Sequence, residues 1–144
     1  MVKIIRTRDR DLSDVLILLR EVNLPTEGIV EHFHNFLIAR EGARLVGCAG
    51  IEIYDDVGLM RSVVVAPTFQ SHGLGHKLVE RIHRFAIAKG LKKIYLITDT
   101  AEQFFSKLGY VVTPQEDIEP RIKQSVEFTY VCAISGVCMM KILK

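Results

Sequence analysis

Val63-Val64-Val65-Ala66-Pro67-Thr68-Phe69-Gln70-Ser71-His72-Gly73-Leu74-Gly75-His76-Lys77 is the stretch on which the reading of this chain turns. An apolar β-branched run feeds a glycine-bearing loop. The loop becomes the first turn of an amphipathic helix that carries Leu74, Leu78, Ile82, Phe85 and Ala86 on one face. A helix start leaves backbone N–H groups without intrahelical partners and concentrates the positive end of the helix dipole. It is an anion site, and a pyrophosphate fits it. Gly73 and Gly75 let the backbone approach phosphate oxygens with no Cβ in the way. Two other phosphate loops are excluded by spacing. The chain has no Gly-x-x-x-x-Gly-Lys-Ser/Thr and no third glycine for a dinucleotide fingerprint after the first strand.

Upstream of this junction, Val2 to Arg6 reads as a strand, and Leu12, Val15, Leu16, Leu18 and Leu19 recur at helical spacing in a helix ending near Asn23. Leu24-Pro25 breaks that helix, and Thr26 is placed to cap a second one running through Phe33. Asn35–Arg40, Leu45–Tyr54 and Val57–Ala66 then read as strands joined by tight turns at 41–44 and 55–56, an antiparallel half. Downstream, Gly90 closes the long helix and Ile94–Ile97 is an apolar run suited to a buried parallel strand. Thr98-Asp99-Thr100 caps a helix through Leu108, Gly109 ends it, and Tyr110–Val112 and Gly136–Leu143 are strands. Pro114–Gln124 is polar, carries two prolines and has no clear place. The order β-α-α-β-β-β-α-β-α-β-β predicts an α/β (α+β) layering: a mixed central sheet of about seven strands flanked by about four helices.

Composition narrows the function classes. A chain of 144 residues reads as one domain, 1–144, with 49% hydrophobic and 25% charged residues, the balance of a folded globule. Nineteen basic residues against seventeen acidic ones give a net charge of +2 with no like-charge block, which argues against nucleic acid as a partner. Cys48, Cys132 and Cys138 are too few and too irregular for a disulfide framework or a structural zinc site, so no metal is expected. The charged start lacks the apolar run of a signal peptide, and no stretch of about 18 apolar residues occurs. The expectation is a cytoplasmic protein that makes no use of a membrane.

Gln70-Ser71-His72-Gly73-Leu74-Gly75 resembles the Gln/Arg-x-x-Gly-x-Gly/Ala signature of GNAT acyltransferases, which bind acetyl-coenzyme A. The segment Ala101-Glu102-Gln103-Phe104-Phe105-Ser106-Lys107-Leu108-Gly109-Tyr110 is similar to the family's Ala-x-x-Phe-Tyr-x-Lys-x-Gly-Phe, and the element order fits its fold along nearly the whole chain. Leu24-Pro25-Thr26-Glu27-Gly28, Glu31-His32, Asn35-Phe36-Leu37, Gly47-Cys48-Ala49-Gly50, Leu59-Met60-Arg61-Ser62 and Ser135-Gly136-Val137-Cys138-Met139 resemble a narrower branch. That branch is encoded in arsenic-resistance operons, and its members N-acetylate an arsenic-containing amino-acid antibiotic.

The resemblance implies acetyl-CoA as cosubstrate, a small-molecule amine as acceptor, and roles for particular residues. Backbone N–H groups of Gln70, Ser71, His72, Gly73, Leu74 and Gly75 would hold the pyrophosphate. The strand Val63-Val64-Val65 would pair, through the backbone of Val63 and Val65, with the pantetheine arm, and a backbone N–H there would polarise the thioester carbonyl. Thr98 stands where the family has asparagine and could bond a pantetheine amide. Phe105 stands where many members have the tyrosine that protonates the departing thiolate; it has no proton to give, and Tyr130, Ser135 and Cys138 are the substitutes within the chain.

Catalytic candidates are Glu52 and Arg61. Glu52 either removes a proton through water or is solvated, and Glu27, Glu31 and His32 share that standing. Arg61, inside an apolar strand, either forms a bidentate pair with a carboxylate or phosphonate-like group of the acceptor, or lies on the solvated face paired with Glu52. The function expected is N-acetylation of an amino acid or an amino-acid-like antibiotic, an arsenic- or phosphorus-containing analogue included. A silent acetyl-CoA-binding regulatory module and a protein N-terminal or lysine acetyltransferase stay open beside it. Val137, Met139 and Met140 either close the sheet or pair with a second copy in a homodimer.

Overall fold

A computed structural model describes residues 1–70, 73–125 and 136–143. β1 (Val2–Arg6), β2 (Phe36–Glu41), β3 (Arg44–Tyr54) and β4 (Val57–Val65) form an antiparallel meander. Its two hairpins turn on residues in the left-handed region, Gly42 (φ 60°) and Asp55 (φ 57°), a glycine and a short polar residue that tolerate it. α3 (Leu74–Ala88) then crosses over to β5 (Lys93–Thr98), which runs parallel to β4. α4 (Glu102–Lys107) leads to β6 (Val111–Val112), and β7 (Val137–Ile142) inserts antiparallel between β5 and β6. The described strands make one seven-stranded sheet in the order β1-β2-β3-β4-β5-β7-β6. Val137, Met139 and Met140 close this sheet against β5.

Each face of the sheet is covered because strand side chains alternate and each helix presents one apolar stripe. α3 buries Leu78, Val79, Ile82 and Ala86 against Ala49, Ile51, Met60, Leu96 and Met139. On the opposite face α1 (Leu12–Glu21), α2 (Ile29–His32) and the 3₁₀ turn Phe33–Asn35 that follows pack Val15, Leu19, Ile29 and Phe33 over Phe36, Ile38, Cys48 and Val64. Each fully buried aliphatic side chain contributes roughly 1.5–3 kcal/mol. The Pro114–Gln124 stretch becomes two short 3₁₀ turns, Gln115–Asp117 and Pro120–Gln124, which set Ile118 and Ile122 on Leu59 and Tyr95.

Most strand and helix ends lie within a residue or two of the expectation, and two of the differences fall around the α1–α2 loop. α1 stops at Glu21 because Asn23 adopts φ 60°, which no helix continues. Thr26 does not cap α2 with its side chain. Its carbonyl accepts the Ile29 N–H, and Gly28, at φ 82°, occupies the N-cap position.

β4 carries the irregularity that shapes the site. Its register with β3 runs Cys48↔Val64 and then Gly50↔Arg61, so Ala49 faces two residues, Ser62 and Val63. This is a β-bulge, and Ser62 sits in it at φ 59°. Strands β4 and β5 pair only over Val57–Met60 and Lys93–Leu96. Beyond Met60 the bulged strand and β5 part company and leave an open wedge.

Candidate active site

The wedge is a cleft of about 730 Å³. The bulged half of β4 forms one wall and the end of β5 with the start of α4 forms the other; Asn23, Leu24 and Pro25 approach from the α1–α2 loop, and the start of α3 closes the opposite end.

Strand alternation decides which backbone groups face the cleft. The Ala66 N–H donates to the Val46 carbonyl (2.8 Å), so β4 residues in phase with it turn toward β3. Val64 is therefore occupied by β3, opposite Cys48, and its side chain lies in the α1–α2 core. Val63 and Val65 turn their backbones the other way, to the edge that β5 has left, while their side chains pack against the α3-side core. Gln70 Nε2 donates to the Val65 carbonyl (3.0 Å) and folds the loop back onto the strand.

At the helix start, Gly73 takes φ 77° as N-cap of α3, with no side-chain cap, and the first intrahelical bond is Lys77 N–H to the Gly73 carbonyl (3.1 Å). The N–H groups ahead of Lys77, including those of Leu74 and Gly75, have no intrahelical acceptor. The Gln70 N–H is directed at the Pro67 carbonyl (3.4 Å), so of that residue it is the side chain, through Val65, that shapes the loop. Ser71 and His72 lie outside the described residues. Gly75 is where α4 comes close: a Cβ there would stand 3.5 Å from Phe104 Cζ and 3.7 Å from Val65 Cγ2. Phe104 is the residue that sequence reasoning missed. It is 37% exposed and lines the cleft, and its only signal was its place beside Phe105 in the α4 segment.

Phe105 also lines the cleft but is largely buried, edge-on to Phe104 (5.0 Å) and to Tyr110 (5.7 Å). Thr98 does not cap α4, whose N-cap is Ala101 with no side-chain cap; its Oγ1 accepts the Ala101 N–H (3.0 Å) in the turn ahead of the helix and leaves the hydroxyl proton to donate elsewhere. Tyr130 and Ser135 lie outside the described residues, and Cys138 is buried in β7 near Leu59 and Tyr95.

Arg61 and Glu52 are brought together, and neither is solvated. Arg61 Nη1 donates to Glu52 Oε2 (2.8 Å) with the side chains 0% and 1% exposed. Nη1 also donates to the Glu27 carbonyl, Nη2 to the Pro25 carbonyl (3.1 Å) and Nε to Ser62 Oγ (3.2 Å). At least four of the five guanidinium N–H groups are thus directed at this chain. Glu52 Oε1 accepts from the Tyr54 hydroxyl and lies 3.8 Å from His32 Nε2. Burial, then the Glu52 carboxylate, push the Tyr54 hydroxyl well above its ordinary range. Of the two readings open for Arg61, the pairing with Glu52 is present, but not on a solvated face, because the α1–α2 loop folds over it. Glu27 and Gly28 enter this cluster through their backbones.

Cys48 lies beneath the bulge. Burial pushes its thiol up to about 12, so it stays protonated, and it donates to the Ser62 carbonyl (3.1 Å). Among the described residues no group of three or more His, Cys, Asp or Glu side chains could hold a metal ion, and no helix is long and apolar enough to cross a membrane.

The profile of the acetyltransferase (GNAT) domain family matches residues 32–112. An uncharacterized N-acetyltransferase of Chlorobaculum tepidum is 28% identical over 97 residues, 67% of this chain and 62% of its own length. An amino-acid acetyltransferase of Mycobacterium tuberculosis is 31% identical over 97 residues, 65% of this chain and 54% of its own length. The chain thus spans less than two thirds of the length of these relatives. Among solved structures, N-acetylglutamate synthase of Neisseria gonorrhoeae, complexed with coenzyme A and N-acetyl-glutamate, superposes with a TM-score of 0.85 at 18% identity over 100% of this chain and 35% of the other. A GNAT-family acetyltransferase of Staphylococcus aureus superposes at 0.81 with 16% identity over 100% of both chains. With its bulged β4, its open wedge and its glycine-led α3 all inside or bordering the matched segment, the chain belongs to the GNAT acetyltransferase domain family.

Proposed function

We propose that the protein transfers the acetyl group of acetyl-CoA to the amino group of a small amino acid or amino-acid-like compound. One observation carries the reading: the edge of β4 at Val63 and Val65, left by β5, opens into the same cleft as the uncapped start of α3. An extended amide-bearing arm that ends in a pyrophosphate needs both, a strand edge to pair with and a helix start for its charge. Gly75 supports the fit, since the space that a larger side chain would take beside Phe104 and Val65 is kept open. Bound acetyl-CoA supplies an activated acetyl thioester.

This chain's part is to align and polarise. Val63 and Val65 hold the arm at the strand edge, Leu74 and Gly75 N–H groups meet the phosphates, and Thr98 donates its hydroxyl proton to an amide of the arm. Phe104 and Phe105 wall the channel and exclude water. Asn23, Leu24 and Pro25 border the acceptor's side, and Arg61 holds that loop in place from beneath. Arg61 therefore acts through the loop rather than as a ligand of the acceptor's acid group. Glu52, with its oxygens on Arg61 and Tyr54, is a positioning residue.

Amino-acid acetyltransferases among the relatives favour an amino-acid acceptor. Within that class, the resemblance to the arsenic-resistance branch extends the proposal to arsenic- and phosphorus-containing amino acids.

Release of free thiol from acetyl-CoA by the purified protein tests the reading, against a panel of amino acids, phosphinic and arsinic amino acids, and short peptides. Turnover on the amino-acid-like set and none on peptides is expected. Turnover on peptides alone, or none on any amine, contradicts it.

A further inference from the structure

Ser62 is in a conformation that serine seldom adopts. Three described non-glycine residues have positive φ: Asn23, Asp55 and Ser62. Asn23 follows a helix and Asp55 makes a hairpin turn, both residue types that bond locally in the left-handed region. Ser62 lies inside a strand, at φ 59°, and is 6% exposed. Glycine would adopt this backbone without strain. Such an outlier at a ligand-sized cleft points from geometry to function.

The surroundings aim the hydroxyl. Ser62 Oγ accepts from Arg61 Nε (3.2 Å), and Arg61 is itself held by Glu52 and by the Pro25 and Glu27 carbonyls, so one lone pair of the oxygen is fixed. The Ser62 carbonyl is pinned by the Cys48 thiol. A hydroxyl that receives a hydrogen bond from a guanidinium has its proton polarised for donation. Among the described residues that proton has no acceptor in the protein, although the residue lines the cleft, next to the Val63 backbone that faces the open edge.

We propose that Ser62 is a catalytic residue: its hydroxyl donates a hydrogen bond to the thioester carbonyl oxygen as negative charge develops there. The inference rests on the acetyl-transfer reading. In the step, the neutral amine's lone pair forms the new C–N bond, and the C–S bond breaks with its electron pair left on sulfur. The proton lost by nitrogen passes to that sulfur through water, giving amide and free thiol. Ser62 keeps its proton throughout and stabilises the charge on the carbonyl oxygen by donation.

The test compares wild type, Ser62→Gly and Ser62→Ala in thiol release, in CoA binding by calorimetry, and in thermal melting. Ser62→Gly relieves the positive φ while removing the hydroxyl, so this variant remains folded. Its melting midpoint at or above that of Ser62→Ala and unchanged binding of CoA, which has no acyl carbonyl, are expected. With them, kcat falls by about a hundredfold, the scale of losing one oxyanion donor. A kcat of Ser62→Gly within about threefold of wild type overturns the inference and leaves the acetyl-transfer reading standing. Weaker CoA binding in parallel with the loss of rate also overturns it, because that marks a role in shaping the bulge. Absence of wild-type turnover on every acceptor overturns both together.

Discussion

Arg61 Nη1 and Glu52 Oε2 meet at 2.8 Å in a pocket closed to solvent, and the same guanidinium holds the carbonyls of Pro25 and Glu27. Through Arg61 a pair of strand residues is thereby wired to a loop 34 to 36 residues before that arginine in the chain. Removing one partner strands a buried charge and frees two carbonyls. Arg61→Met is expected to cost about 3–5 kcal/mol, read as a lower urea midpoint, with part of the loss recovered by adding Glu52→Gln. A loss below about 1 kcal/mol would show that the pair does not hold the loop.

Gly28 sits directly on this pair. At φ 82° it tolerates no Cβ comfortably, and a Cβ would come within 3.1 Å of Arg61 Nη1. Gly28→Ala is expected to cost about 1–2 kcal/mol from the backbone alone. It should also raise the acceptor's KM while leaving that of acetyl-CoA unchanged. Gly42→Ala is the control: φ is 60° but nothing lies within 4 Å, so stability falls and kinetics stay put.

His83 on α3 meets the Tyr110 hydroxyl at 2.8 Å. Burial first, then the Lys141 charge, bring its imidazole down to about 4 from 6.5, with His76 adding to the effect and Glu80 opposing it. The unfolded chain takes up this proton below about pH 6.5 and the folded chain only near 4. The unfolded state therefore binds more protons in that window, and stability falls as the pH drops through it. Urea midpoints measured from pH 7.5 to 4 should show this decline, and His83→Gln should flatten it. Parallel curves for the two proteins would contradict the assignment.

The strand–loop–helix junction and the order of elements were legible because glycine placement and apolar periodicity are local signals. The seven strands and the α3 stripe follow from them, whereas whether Val137, Met139 and Met140 close the sheet or meet a second copy did not. The fate of Arg61 was not legible: period-two alternation says which face a residue takes but not which distant loop covers it. The bulge left no mark in β4, where Ser62 and Val63 read as ordinary strand residues and only the register against Cys48 and Gly50 reveals the extra one. Thr26 misled because a good capping side chain stood near a helix whose start is set instead by the φ of Gly28.

Calorimetric titration of CoA into wild type and Gly75→Leu tests the central claim, that the wedge between β4 and β5 is the coenzyme site. Leucine suits a helix better than glycine, so the fold is kept, and its side chain fills the space beside Phe104 and Val65. The account predicts binding by wild type that weakens at least tenfold, about 1.4 kcal/mol, in the variant with no loss of melting temperature. Wild type that takes up no CoA, or a variant that binds it equally well, would contradict it.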